Sequence, residues 1–575
     1  MPEAGPETPG ILIEMNVGVP VRDGVVLRAN IFRPDVPSPC PGLLTRTPYG
    51  KAESGLEPLV RAGYAVVAQD SRGRYASDGE YVPFTVERTQ DGEDGYDSVE
   101  WLAAQPFCNG KVGTFGVSYN GWMQWSLARL RPPHLVAMCA NSIPLEITDL
   151  DWWGSFRPGR RVKWWMNSMA PDLRRRHGLP PPHTPEEAEK IWDEQEQMRW
   201  IWFLPWMDLP GYLPPGLREY ARDWLRNPTR RAWRFDRIHR EVEVPNLDFS
   251  GWYDHCNGSM RHLRLMQQNA RTKAAREQTR LVIGPWNHKH LGERSLGSMD
   301  YGPEARVDLT QVMIRWFDHW LKGDGDGLRG EPPVRYFVMG SQVWKGAATW
   351  PPEDGVGWRE FYLDSGGDAH RPDGSGRLSA SVPARSREDA YEYDPKDPVP
   401  TLWSQEMFTQ PSDRSALAHR RDILNYRTDP LEQEVEVVGY PEAVLFASTS
   451  ARDTDFFVRL VDEHPDGRAL DVGYGMVRAR HRISMDREDL VTPGEVVEYR
   501  IRLGPTACRF LEGHRIRVEI TSSDFPNHDR NHNTGGKDLA ETELVTARQV
   551  IHHSRCHPSR IVLPVALEFT INSKP

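Results

Sequence analysis

The chain has 575 residues, a formal net charge of −10 and 38% apolar residues. That length suits about three or four domains around a sizeable core. The charge is spread without a long single-sign run, which speaks against a nucleic-acid partner, and no apolar run approaches the length of a membrane span.

The first ten residues are polar and lack the charged-then-apolar layout of a signal peptide, so they read as a loose tail. The six cysteines, Cys40, Cys108, Cys139, Cys256, Cys508 and Cys556, include no Cys-x-x-Cys pair. Thioredoxin chemistry is not expected, and thiols in this number suit a reducing cytoplasm.

Asp23-Gly24 lies between two β-rich runs within residues 19–33 and signals a hairpin. A strand at 42–46 leads into a loop with Tyr49. A helix at 57–62, a buried strand at 64–69 and the turn Asp70-Ser71-Arg72-Gly73-Arg74 follow. Residues 91–104 predict a helix with Tyr96, Val99 and Leu102 on one face. Residues 112–117 predict a short buried strand and 119–130 a helix, with Ser118 at the junction. A strand at 135–140 continues the alternation. Continuous apolar strands alternating with helices argue for a mostly parallel sheet covered on both sides.

The alternation breaks near residue 145. From 145 to 240 the sequence predicts helices, proline clusters and no strand, and ten of the chain's 21 Trp fall here. Arginines are dense, as at Arg174-Arg175-Arg176 and Arg230-Arg231. Most of the aromatics read as the core of a small helical insertion; a sharper reading lines a pocket with several, including Trp152, Trp153 and Trp165. Strands return at 245–251 and 280–284, then a helix at 309–321 with Val312, Met313, Trp316, Phe317 and Trp320 on its apolar face. From Val334 the texture changes to short alternating strands, at 334–339, 360–363, 435–438, 443–448, 456–461, 497–501 and 515–521. This predicts an all-β sandwich of jelly-roll type. The expected domains are 1–144 and 241–350 for the α/β core, 145–240 for the helical part and 351–575 for the β part.

Gly116-Val117-Ser118-Tyr119-Asn120-Gly121 has the layout of a nucleophile elbow, a sharp strand-to-helix turn that exposes a serine hydroxyl. The second glycine comes one residue later than usual, so a plain glycine-rich turn stays open as a reading. An acid and a histidine must follow in chain order, each after a later strand. The strand at 245–251 runs into Trp252-Tyr253-Asp254, and that at 280–284 into Pro285-Trp286-Asn287-His288. His288 would take the Ser118 proton while Asp254 orients the imidazole. A turn-capping Asp and a packed His are the plainer readings, and a zinc site of His255, His288 and His290 lacks an acidic or thiolate ligand at metal spacing. An oxyanion hole needs two donors: the Tyr119 backbone N–H by position, and the Tyr49 hydroxyl or nothing in its loop.

These motifs, with Pro48-Tyr49, Arg452-Asp453-Thr454-Asp455-Phe456, Gly513-His514-Arg515-Ile516-Arg517 and Phe525-Pro526-Asn527, resemble the cocaine-esterase-like (CocE/NonD) serine hydrolases, relatives of X-Pro dipeptidyl-peptidases and α-amino-acid ester hydrolases. The resemblance implies an α/β fold: an α/β-hydrolase core with an inserted helical cap and a C-terminal all-β jelly-roll domain. It implies Ser118, Asp254 and His288 as triad, with Tyr49 and Tyr119 as oxyanion donors. Two places depart from it: His255-Cys256 after the acid, where a small residue is expected, and Leu402-Trp403, where glycines are. His255, Cys256 and Trp403 are therefore counted as substrate-pocket candidates.

The expected activity is hydrolysis of a small carboxylic ester, or an amide, through an acyl-enzyme, with a bulky or aromatic group on the substrate. No cofactor, metal, nucleic acid or membrane is expected, and a homo-oligomer is compatible. The rivals are an X-Pro dipeptidyl-peptidase or β-lactam acylase on the same core, an acyltransferase, and a non-catalytic carbohydrate-binding protein.

Overall fold

The computed structural model describes residues 10–84, 90–144, 155–227, 237–256, 258–325, 327–384, 388–403, 407–537 and 539–567. The candidates Trp152 and Trp153, and the pair Arg230-Arg231, lie outside the described residues. The protein is a mixed α/β structure with an all-β C-terminal part.

The first hairpin is β1 (Ile11–Pro20) and β2 (Val26–Pro34), antiparallel, with Gly24 at φ +86° in the turn. Then come β3 (Cys40–Thr47), α1 (Glu57–Arg61), β4 (Ala65–Asp70), α2 (Asp91–Ala103), β5 (Cys108–Val117), α3 (Tyr119–Ala128) and β6 (Leu135–Asn141). These strands form a sheet in the order β1-β2-β4-β3-β5-β6, parallel from β4 to β6. All six residues of β4 are buried, as a strand covered on both faces requires.

β7 (Leu247–Gly251) and β8 (Arg280–Gly284) extend the parallel array. A parallel bridge between Met138 and Asn246 joins β6 to β7, and the Asn246 amide ties itself to both backbone groups of Ala140. The sequence crossover after residue 141 therefore adds strands to the same sheet. The strand Val334–Val338 lies parallel to β8, with Val334 opposite Leu281. That corrects the reading that short alternating strands begin at Val334: the all-β texture starts with Val356–Asp364.

Between 155 and 240 the described residues hold helices only: α4 (Pro158–Lys163), a π-helical stretch Trp164–Met169, Ala170–Arg176, Pro185–Ile191, Gln197–Ile201 and Leu217–Arg226 among them. Their Trp residues pack in one cluster with the α3 face of the sheet. The C-terminal strands form a thirteen-stranded hydrogen-bonded network. Six of these match predicted strands, and Ala469–Arg478, Ala547–His552 and Arg560–Ala566 are among those the sequence did not announce.

A buried ionic network explains two of the C-terminal motifs. Arg478 binds Asp455 at 2.9 Å and Asp529 at 3.1 Å, Arg480 binds Asp453 at 2.8 Å, and Asn531 donates to both Asp453 and Asp455. Buried charges persist only when paired in this way. The network fixes residues 525–531, and these grip the start of α4. Gly159 N–H donates to the Pro526 carbonyl at 2.9 Å, the Phe156 N–H to Asp529 at 2.9 Å, and Arg157 to the Asn527 side chain. A Cβ on Gly159 would meet Trp403 at 2.6 Å and the Pro526 oxygen at 2.9 Å, so the approach needs glycine. No helix among the described residues is long and apolar enough to cross a membrane.

Candidate active site

Ser118 sits between β5 and α3 at φ 61°, ψ −121°. A non-glycine residue there is strained, and tight packing holds it. A Cβ on Gly116 would meet the Asn120 Cβ at 2.6 Å, and one on Gly121 would meet Ile143 at 2.6 Å and the Asn141 oxygen at 3.0 Å. The late second glycine thus has a reason: position 121 faces β6, whereas position 120 leans on Gly116. The Ser118 N–H is anchored on the Asn141 carbonyl at 2.9 Å. The first-turn N–H groups of α3, Tyr119 included, are left without intrahelical acceptors and point their partial positive charge at the turn.

The loops after β7 and β8 are cross-linked to each other. Trp252 N–H donates to the Gly284 carbonyl and Tyr253 N–H to the Trp286 carbonyl, each at 3.0 Å. Cβ atoms on Gly251 or Gly284 would collide with Trp286, which explains glycine at both strand ends. The cross-link brings Asp254 to His288. Nδ1–H of His288 donates to Asp254 Oδ1 at 2.9 Å and Oδ2 at 3.1 Å. A carboxylate only accepts, so Nδ1 carries the proton and Nε2 is left as the basic nitrogen. Asp254 is buried, and its Oδ1 also accepts the Cys256 N–H at 2.7 Å. The Asn287 side chain accepts from the N–H groups of Lys289 and His290 and donates to the Thr409 carbonyl, which fixes the turn carrying His288.

Ser118 and His288 line one cavity, together with Tyr49, Phe84, Tyr119, Trp122, Pro144, Trp164, His255, Cys256 and three arginines. No hydrogen bond joins Ser118 to His288 among the described residues. Such contacts are often open before substrate binds.

Tyr49 is held from two sides. The buried Arg74 donates to the Pro48 carbonyl at 2.7 Å and to the Met169 carbonyl at 2.9 Å, and Lys51 pairs with Asp70 at 2.7 Å. The turn at residues 70–74 thus braces the Tyr49 loop. Trp164 Nε1–H donates to the Tyr49 hydroxyl oxygen at 3.0 Å. Indole only donates, so the Tyr49 proton stays available to another acceptor. Burial pushes the Tyr49 phenol up to about 12, so it keeps that proton at neutral pH. The Tyr119 hydroxyl is turned elsewhere: it accepts the Phe84 N–H at 2.8 Å and faces Asp91 at 3.5 Å.

The substrate-pocket candidates divide. His255 and Cys256 line the cavity, as expected. Trp403 lines an adjoining cavity behind His255 with Tyr253 and Arg459. Trp165 is fully buried against Phe156 at 5.8 Å and does not line the site; its neighbour Trp164 does. A π-helical stretch shifts the facing of successive side chains, which ordinary helical spacing does not anticipate. The reading also passed over Phe408, which lies nearly parallel to the His288 ring at 6.0 Å, and the cluster Arg157, Arg160 and Arg161. The arginine run it did name, Arg174–Arg176, is partly spent on backbone: Arg175 and Arg176 bind the Tyr75 carbonyl. Two adjacent arginines in the last turn of a short helix ahead of Trp164-Trp165 were the available signal.

Asp254, His255, Cys256 and His288 each present a donor atom, all within 4.8 Å of one another. This is not the His255–His288–His290 set considered from sequence, because His290 is turned onto Asn287. The chemistry of the set disfavours a cation. Burial and the neighbouring Asp254 push the Cys256 thiol well above its usual range against the opposing pull of Arg161, Arg160 and Arg157, so it is not a thiolate. Burial, His288 and the same arginines hold His255 well below the usual histidine range, hence neutral.

A serine on a strained turn, a histidine on a buried carboxylate and a free phenol donor around one cavity are the parts of a serine hydrolase of the carboxylesterase type, and fold and site place the chain in that class. Residues 23–290 match the family described as X-Pro dipeptidyl-peptidase (S15 family), and residues 326–562 the X-Pro dipeptidyl-peptidase C-terminal non-catalytic domain. The chain is 36% identical to a cocaine esterase of Rhodococcus sp. (strain MB1 Bresler), over 96% of this chain and 98% of that one. Its structure is similar to that of an aminopeptidase from the archaeon Thaumarchaeota archaeon (25% identity, TM-score 0.78, 98% of each chain). It is also similar to an α-amino acid ester hydrolase (23% identity, TM-score 0.75, 98% of each chain). The chain belongs to the cocaine-esterase-like (CocE/NonD) family of serine hydrolases.

Proposed function

We propose that Ser118, His288 and Asp254 form a catalytic triad that cleaves carboxylic esters through an acyl-enzyme, with the Tyr119 N–H and the Tyr49 hydroxyl as oxyanion donors. His288 Nε2 takes the Ser118 proton as Oγ attacks the ester carbonyl. The resulting imidazolium is stabilised by Asp254. As the tetrahedral oxyanion forms, the two donors bind it. His288 then protonates the leaving alcohol, and a water repeats the sequence on the acyl-enzyme. The observation that carries this reading is the single cavity wall shared by a strained Ser118, a carboxylate-held His288 and a Tyr49 whose proton is unspent.

Phe84, Trp122 and Trp164 supply flat apolar walls, which favour a bulky or aromatic group on the substrate. In the same reading, residues 145–240 are a helical cap that roofs the site through Trp164, and residues 351–575 a jelly roll that anchors the start of α4. The six cysteines are unpaired, in keeping with a cytoplasmic location. Hydrolysis, rather than acyl transfer, is preferred here, and a homo-oligomer is compatible with the reading.

The test is a panel of aryl esters and X-Pro anilides, combined with fluorophosphonate labelling. Ester turnover with label on Ser118 is expected. Labelling at another residue, or turnover of X-Pro anilides alone, would reject the ester assignment. Tyr49→Phe is expected to lower kcat by about 10²–10³ with little change in thermal stability, because Arg74 still holds the loop. An unchanged kcat would place the second oxyanion donor elsewhere.

A further inference from the structure

Among the described residues the cavity wall contains three guanidiniums and two imidazoles but no carboxylate, since Asp254 lies behind His288. The three arginines are not equivalent. Arg157 is bound to Asn527, and Arg161 stacks over Trp224 at 4.0 Å. The Arg160 guanidinium makes no hydrogen bond or ion pair among the described residues, and its Cζ lies 4.0 Å from the centre of the Phe408 ring. Arg160 is half-buried, and a guanidinium on a cavity wall with no counter-ion among the described residues has hydrogen-bonding capacity that a ligand can complete. We infer that Arg160 is the anion-binding residue of this cavity, and that the substrate is an ester bearing a carboxylate.

The inference rests on the serine-hydrolase reading and adds the substrate's charge to it. Burial lowers Arg160 only to about 10, so it remains charged at neutral pH. Its planar fork matches a carboxylate with two parallel hydrogen bonds. Phe408 stacks on both partners of interest: Arg160 covers one ring face, and the His288 ring lies nearly parallel to it at 6.0 Å. Arg160 is thereby set one aromatic ring away from the proposed base. The grip of Pro526 on Gly159 and of Asn527 on Arg157 sets where α4 begins, and with it where Arg160 projects. A substrate with an ammonium group would instead meet three cations at close range, which is unfavourable at the low effective dielectric of a buried site.

The experiment compares two aryl monoesters of one dicarboxylic acid, the far end free in the first and converted to the primary amide in the second. Wild type is expected to prefer the free acid. In Arg160→Met the ratio of kcat/KM values, acid over amide, is expected to fall by about 10–100-fold, chiefly through KM. Arg160→Lys, which keeps the charge but not the fork, should retain part of the preference. A wild-type enzyme indifferent to the carboxylate overturns the inference without any variant. So does an Arg160→Met enzyme that loses both activities in equal proportion, since that outcome assigns Arg160 to packing on Phe408 or to the oxyanion. A neutral fluorophosphonate separates this failure from that of the underlying reading. Ser118 labelled, with amide-ended ester turned over and no carboxylate preference, sinks the substrate class alone. Ser118 unlabelled, with neither ester turned over, sinks the hydrolase assignment and the inference with it.

Discussion

Ser118→Ala is expected to reduce ester turnover by about 10⁵-fold or more while leaving the thermal midpoint close to that of wild type. The two halves of this expectation have separate causes. The serine oxygen is the atom that would bond the acyl group, and no other described hydroxyl shares the cavity except the phenols of Tyr49 and Tyr119. The fold, by contrast, uses only the backbone of residue 118: its N–H binds Asn141 and its carbonyl accepts from Trp122. Alanine keeps both bonds and the strained φ. Steady-state kinetics with a melting curve checks both halves. Retention of more than about a hundredth of the activity would reject the nucleophile assignment.

Asp254→Asn should lower kcat by about 10⁴-fold, again with the fold retained. The Asn oxygen can still accept the Cys256 N–H in the place of Oδ1. Its amide nitrogen then occupies the place of Oδ2, 3.1 Å from His288 Nδ1. The oxygen stays within 2.9 Å of Nδ1 at the Oδ1 place, but the amide N–H group now faces Nδ1 beside it, so the tautomer that leaves Nε2 basic toward Ser118 is no longer enforced. The negative charge that steadies the imidazolium is lost as well. The carboxyl group on β7 itself, Asp248, cannot substitute. Burial pushes it up to about 8, so it is mostly protonated at neutral pH. An Asp254→Asn enzyme with a tenth or more of wild-type kcat would show that another group orients His288.

The legible parts of this protein were those governed by short-range rules. Apolar runs at 42–46, 64–69, 112–117, 135–140 and 280–284 are long enough and uniform enough to declare buried parallel strands, and each forms one. The serine, the acid and the histidine could be found because each follows such a strand, and a parallel sheet delivers every strand's carboxyl end to one edge. The less legible parts depended on contacts between distant segments. Ala469–Arg478 contains Gly473 and Gly475, which weaken any strand signal. Gly475 is needed because the Arg502 carbonyl passes where its side chain would be. That Trp164 rather than Trp165 faces the pocket is decided within a π-helical stretch, which the sequence did not announce.

The amino-acid order alone made legible the alternating α/β frame, the elbow motif and the chain order of the three residues proposed as a triad, because local pattern and strand-end geometry decide these. Only the tertiary structure decided which aromatics face the cavity, that Trp164 leaves the Tyr49 proton unspent, and that no carboxylate among the described residues pairs with Arg160. Those facts arise where residues 48–49, 157–164, 254–256, 288 and 407–408 meet. Tyr49 meets Trp164 and Arg160 meets Phe408 across more than a hundred residues of chain, and no local rule carries that information.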